Sequence, residues 1–143
     1  MSDAEPTAKH VLVVEDEPDF AALLRSMLTK AGYTVATAYN CEDALAETRK
    51  HRPDVITLDI HMPRKSGVFF YRKLKADEAF RDVPVVVVTG VTRDKEMESL
   101  IHSLLEPGDL PAPEAYLEKP VERPRFLRTV QQALSSGRSG KAG

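Results

Sequence analysis

Two hydrophobic rhythms alternate along the chain. Short continuous apolar runs rich in valine, "HVLVVED" (10–16), "VITLD" (55–59) and "VPVVVVTG" (83–90), suit strands covered on both faces. Between them, apolar residues recur at steps of three and four. Phe20, Leu23, Leu24, Met27 and Leu28 form the first such stripe, opened by Pro18 and stopped by Gly32. Asn40 can cap a second helix carrying Cys41, Ala44, Leu45 and Thr48, and "VFFYRKLKADEAF" (68–80) reads as a third. A fourth begins at Thr92, places Met97, Leu100, Ile101, Leu104 and Leu105 on its apolar face, and closes at Pro107 and Gly108. Phe126, Leu127, Val130, Ala133 and Leu134 mark a fifth. "YTVATA" (33–38) and "AYLEKP" (115–120) complete five strands.

Strands alternating with helices, each strand too apolar to face water, predict an α/β fold. Its core is a doubly wound five-stranded parallel sheet with helices on both faces and right-handed crossovers. A length of 143 residues suits one domain. The pattern places it at residues 10–135, between a flexible N-terminal extension (1–9) and a flexible tail or linker (136–143) whose "SSGRSGKAG" composition resists packing. A formal net charge of −2 offers no basic footprint, so direct nucleic-acid binding is not expected. No apolar run approaches the ~18 residues of a membrane span, and the polar, acidic N-terminus does not resemble a secretion signal. Cys41 is the single cysteine and cannot form an internal disulfide, which fits a cytoplasmic setting.

In a parallel doubly wound sheet, ligands bind beyond the carboxyl ends of the strands. Glu15 and Asp16 end the first strand, Asp59 the third, Thr89 and Gly90 the fourth, and Lys119 and Pro120 the fifth. Carboxylates crowded there repel by roughly 4 kcal/mol per pair at 4 Å with an effective dielectric of 20, so a cation is the natural neutraliser. Oxygen ligands without thiolates or paired imidazoles favour Mg²⁺. Mg²⁺ is normally shared with phosphate oxygens, which Lys119, the Thr89 hydroxyl and the Gly90 N–H can also receive, leaving Asp59 as nucleophile. Glu15, Asp16, Glu17 and Asp19 would equally stabilise the start of the first helix.

Taken together, "VVEDEP", "VITLDIHMP", "VVVVTG" and "YLEKP" resemble the receiver domain of two-component response regulators, the CheY-like proteins, over roughly Val11 to Leu134. The resemblance implies a flavodoxin-like strand order 2-1-3-4-5. It implies that Asp59 is the phosphoacceptor, taking a phosphoryl group from a sensor histidine kinase or phosphotransfer protein in a Mg²⁺-dependent step. By the same resemblance Asp16 and Asp59 bind the metal through side chains, His61 through its backbone carbonyl, and Glu15 directly or through water. Lys119 pairs with the phosphoryl oxygens, and Lys119-Pro120 matches a pair whose peptide bond is usually cis. Thr89 and Tyr116 match the switch pair, which biases the surface of the fourth helix, fifth strand and fifth helix toward a downstream protein target. The implied role is signalling rather than enzymatic, with slow self-dephosphorylation.

Two departures from the family pattern bear on this. Glu15 stands where Asp is commoner, and the segment from Thr89 to Lys119 is longer than usual, the excess falling in "EPGDLPAPEA". The insertion at 107–114 is expected to alter partner choice and to spare phosphorylation. The chain reads as a stand-alone signalling domain or as a module of a larger regulator. An alternative is a Mg²⁺-dependent phosphohydrolase with an aspartyl nucleophile, but the Asp-x-Asp such enzymes need after the first strand is here Asp16, Glu17 and Pro18. Nucleotide or flavin binding would need a glycine-rich loop after the first strand, where this chain has acids.

Overall fold

The protein is described by a computed structural model at residues 8–90, 99, 102 and 111–142. Five strands, β1 (His10–Val14), β2 (Thr34–Ala38), β3 (Val55–Leu58), β4 (Val85–Thr89) and β5 (Ala115–Glu118), form one sheet in the order β2-β1-β3-β4-β5. Every pairing is parallel, with Val14 opposite Leu58, Leu58 opposite Val87 and Thr89 opposite Glu118. This is the flavodoxin-like doubly wound fold, and its order reverses at β1 and β3. The described helices are α1 (Pro18–Lys30), α2 (Cys41–Lys50), α3 (Ser66–Ala76) and α4 (Arg123–Ala142), the last being the fifth of the sequence pattern. The predicted helix from Thr92 through Leu105 lies outside the described residues, apart from Ser99 and His102, which are helical.

The period-two alternation of the strands divides the core into two layers. Val11 and Val13 of β1 with Val86 and Val88 of β4 pack against Ala21, Leu24 and Leu28 of α1 and Phe126 and Val130 of α4. Leu12, Val14, Ile56, Leu58, Val85 and Val87 point the other way, onto Ala44 of α2 and Phe70, Tyr71 and Leu74 of α3. Only β1, β3 and β4 are buried along their length. The expectation that every strand is closed to water fails at the two edges: β2 is exposed or half-exposed from Thr34 to Thr37, and in β5 only Leu117 is buried. Leu23, expected on the apolar face of α1, is 47% exposed, because the buried stripe runs through Ala21, Leu24 and Leu28 instead.

Local chemistry sets the helix ends. Asn40 caps α2 as expected, its Oδ1 accepting the Asp43 N–H at 2.8 Å. α3 starts at Ser66, two residues before the predicted Val68, and stops at Ala76. Asp77 ends it: its Oδ1 accepts the Ala79 N–H at 2.9 Å and its carbonyl the Phe80 N–H at 3.0 Å, so the backbone turns where the pattern predicted more helix. α4 continues through Ala142, beyond the apolar stripe that ends at Leu134 and into the stretch expected as a tail. Once nucleated by packed residues, a helix propagates at one backbone bond per residue. No helix among the described residues is long and apolar enough to cross a membrane.

Candidate functional site

Register carries three acids to one point. β1 and β3 are neighbours, the Asp59 N–H bonds the Val14 carbonyl at 3.0 Å, and the residues just past both strand ends therefore lie side by side. Carboxylate oxygens of Glu15, Asp16 and Asp59 all fall within 4.8 Å of one another. Glu15 is 1% exposed and Asp59 4%, whereas Asp16 is half-buried. From the far edge, the Lys119 N–H bonds the Thr89 carbonyl at 2.9 Å, which draws the residue after β5 toward β4. Its side chain crosses to the acids, with Nζ 3.0 Å from Glu15 Oε1 and 3.2 Å from Asp59 Oδ2.

Burial dominates the electrostatics of Glu15. Loss of water, reinforced by the charge of Asp59, pushes its pKa up to about 7, against the pull of Lys119 and of the Glu17 N–H on Oε2 at 3.1 Å. Burial by itself would lower the pKa of Lys119, but its hydrogen bond to Glu15 and the charge of Asp59 outweigh that and raise it. The carboxylates of Glu15, Asp16 and Asp59 outnumber the one ammonium, and a divalent cation would relieve the repulsion that raises the Glu15 pKa. All the donors are hard oxygens, so the set fits Mg²⁺.

The family model for the response regulator receiver domain matches residues 11–131 of this chain. The chain belongs to the receiver domain family. Among curated relatives of this receiver is the polar-differentiation response regulator DivK of Brucella anthropi. It is 33% identical over 126 residues, an alignment spanning 88% of this chain and 96% of the relative. The Vibrio cholerae chemotaxis protein CheY4 shares the fold at a TM-score of 0.76 and 28% identity, over 89% of this receiver and 99% of that chain. The receiver domain of a sensor histidine kinase from Pseudomonas aeruginosa PAO1, solved with a magnesium ion coordinated in its active site cleft, aligns at a TM-score of 0.77. That alignment is 25% identical and covers 90% and 99% of the two chains. Receiver domains are signalling proteins that interact with histidine kinases and downstream targets.

Within this receiver, the predicted residues fall into two groups. Glu15, Asp16, Asp59 and Lys119 meet directly. Thr89 is fully buried at the end of β4, and a Cβ on Gly90 would lie 3.9 Å from Lys119 Cδ, so both border the site. The His61 imidazole is exposed, while the His61 backbone N–H donates to Asp59 Oδ1 at 2.9 Å, which orients the carboxylate. The Lys119-Pro120 peptide is cis. Tyr116 stands apart, half-buried on the α3 side of the sheet.

Three contributors were not assigned to the site from sequence. Glu17 occupies the N-cap position of α1 yet makes no side-chain cap, and its carboxylate lies 3.6 Å from Lys119 Nζ. Phe20, read as a core position, sets its ring centroid 4.5 Å from the same ammonium, a cation–π contact. Gly67, in the first turn of α3, lies so close to the loop after β3 that a Cβ there would overlap the Asp59 carbonyl and the Ile60 Cα. The glycine at the end of "IHMPRKSG" was the available signal for that last contact.

Proposed function

We propose that this receiver is a phosphoacceptor in which Asp59 takes a phosphoryl group from a phosphohistidine on a sensor histidine kinase or phosphotransfer protein. The observation that carries this reading is a buried Asp59 carboxylate with an ammonium at 3.2 Å and two further carboxylates within metal-sharing distance. An Asp59 oxygen bonds phosphorus as the P–N bond breaks, and the imidazole leaves with the electron pair. Asp16 and Asp59 through side chains, His61 through its backbone carbonyl, and Glu15 directly or through water would hold Mg²⁺. When bound, that ion draws negative charge from the phosphoryl oxygens.

The chain's own groups do the positioning. The His61 N–H holds Asp59 Oδ1, so Oδ2 is the oxygen turned toward Lys119. Lys119 shifts from the carboxylates to the phosphoryl oxygens, and the Thr89 hydroxyl and Gly90 N–H take the remainder. Thr89 and Tyr116 then select between two states of the surface around β5 that a downstream protein reads. The setting is cytoplasmic, the role is signalling, and loss of phosphate is slow self-dephosphorylation.

Incubation with a small acyl phosphate, with and without Mg²⁺, followed by intact-mass measurement tests the reading. Wild type gains one phosphoryl group only with Mg²⁺, and Asp59→Asn gains none. A gain independent of either Asp59 or Mg²⁺ would sink it.

A further inference from the structure

Tyr71 is fully buried in the middle of α3 and carries a hydroxyl that packing alone does not require. That hydroxyl donates to the backbone carbonyl of Pro111, within the inserted segment that leads into β5. Lys75, one turn later and also buried, gives Nζ bonds of 3.0 and 2.5 Å to the Arg81 and Val83 carbonyls and stands 5.8 Å from the Tyr71 ring centroid. Glu114 closes the segment, its N–H bonding the Val85 carbonyl at 2.8 Å. Residues 111–114 are therefore tied to α3 at one end and to β4 at the other.

Two residues beyond Glu114, Tyr116 packs against the cluster that contains Tyr71. Burial, and then the charges of Tyr116 and Glu114, push the Tyr71 phenol up, so both groups lie within electrostatic reach of it. A close-packed interior transmits the displacement of one ring to its neighbour. A buried hydroxyl that leaves its acceptor loses a bond it cannot replace with water, so the acceptor carbonyl tends to follow.

We propose that Tyr71 is a positioning residue that couples the Tyr116 ring to residues 111–114, making this inserted segment part of the phosphorylation-dependent surface that partner proteins read. The proposal rests on the reading of Tyr116 as the switch aromatic. Phenylalanine at position 71 would fill the same space and leave the Pro111 carbonyl untied.

The experiment follows the Ala112 and Glu114 amides and ¹³C-labelled tyrosine rings by NMR, before and after adding beryllofluoride, a phosphoryl mimic, with Mg²⁺. In wild type, Tyr116, Tyr71, Ala112 and Glu114 all shift. In Tyr71→Phe, Tyr116 still shifts while the Ala112 and Glu114 responses fall at least threefold. Equal responses in the two proteins would overturn the coupling and leave the switch reading intact. A Tyr116 ring that does not respond in wild type would overturn the switch reading itself, and the coupling with it. Should Tyr71→Phe fold poorly, wild type still decides: a Tyr71 ring carbon that stays fixed while Tyr116 moves overturns the proposal.

Discussion

The Lys119 ammonium compensates two buried carboxylates at 3.0 and 3.2 Å, and its removal would leave Glu15 and Asp59 facing each other. Breaking a buried pair by deleting one partner costs about 3–5 kcal/mol, less here because the lysine side chain is 19% exposed. Lys119→Met is therefore expected to lose roughly 2–3 kcal/mol in urea unfolding without Mg²⁺. Millimolar Mg²⁺ should stabilise the variant more than wild type, since the ion relieves the same repulsion; equal stabilisation of both would contradict the shared neutralisation. Lys75 makes the opposite kind of prediction. Burial lowers its pKa to about 8 from 10.5, with Glu114 and Asp82 offsetting only part of the effect. Below pH 8 the folded and unfolded chains both carry its proton; between about 8 and 10.5 only the unfolded chain does, so folding gains as pH rises. Between pH 7.5 and 10 the unfolding free energy of wild type relative to Lys75→Met, from urea melts, should rise by roughly 1–3 kcal/mol. A gap that stays constant with pH would mean the buried amine keeps its proton.

At the scale of elements, the loop between β3 and α3 decides how well the acceptor is held. Gly67 lets the first turn of α3 lie against the Asp59 carbonyl, so Gly67→Ala must push helix and loop apart. A cost of about 2 kcal/mol or more is expected, together with slower Asp59-dependent phosphorylation by the mass assay. Gly32 is the control: its φ of +101° makes alanine costly by about 1 kcal/mol, but nothing lies within 4 Å of the added Cβ and phosphorylation should not change. Equal effects on phosphorylation would show that general stability, not the helix–loop contact, governs the site. Such contacts are hard to read from sequence for a definite reason. Asn40 announces its cap by residue type, and the structure has it. Arg64 in the same loop adopts a left-handed φ of 58° without being glycine or asparagine, and Glu17 takes a cap position without capping. In both, tertiary surroundings override local preference.

For the molecule as a whole, legibility followed burial. The valine runs of β1, β3 and β4 are closed on both faces and were readable as strands, and the acids and lysine at strand ends converge because parallel order forces them to one edge. β2 and β5 were readable as strands too, but their half-exposure comes from their edge positions in the sheet, and the contacts of Glu17 and Phe20 with Lys119 join the start of α1 to the residue after β5, a relation across about 100 residues that no local pattern encodes. The same topology makes a prediction about global unfolding. Glu15 and Asp16 follow β1 while Asp59 follows β3, so their oxygens gather only when the central strands are paired, and the unfolded chain has no equivalent site. A ligand that binds only the folded state adds about 1.4 kcal/mol for each tenfold rise above its Kd, which for a domain of this size is roughly 5 °C in Tm. Thermal melts across a Mg²⁺ series should show that slope in wild type at constant ionic strength, and a much reduced one in Asp16→Asn, which removes the half-buried ligand while sparing the buried pair with Lys119. A Tm that ignores Mg²⁺ in the millimolar range, or follows it equally in Asp16→Asn, would mean that these three carboxylates do not form the cation site.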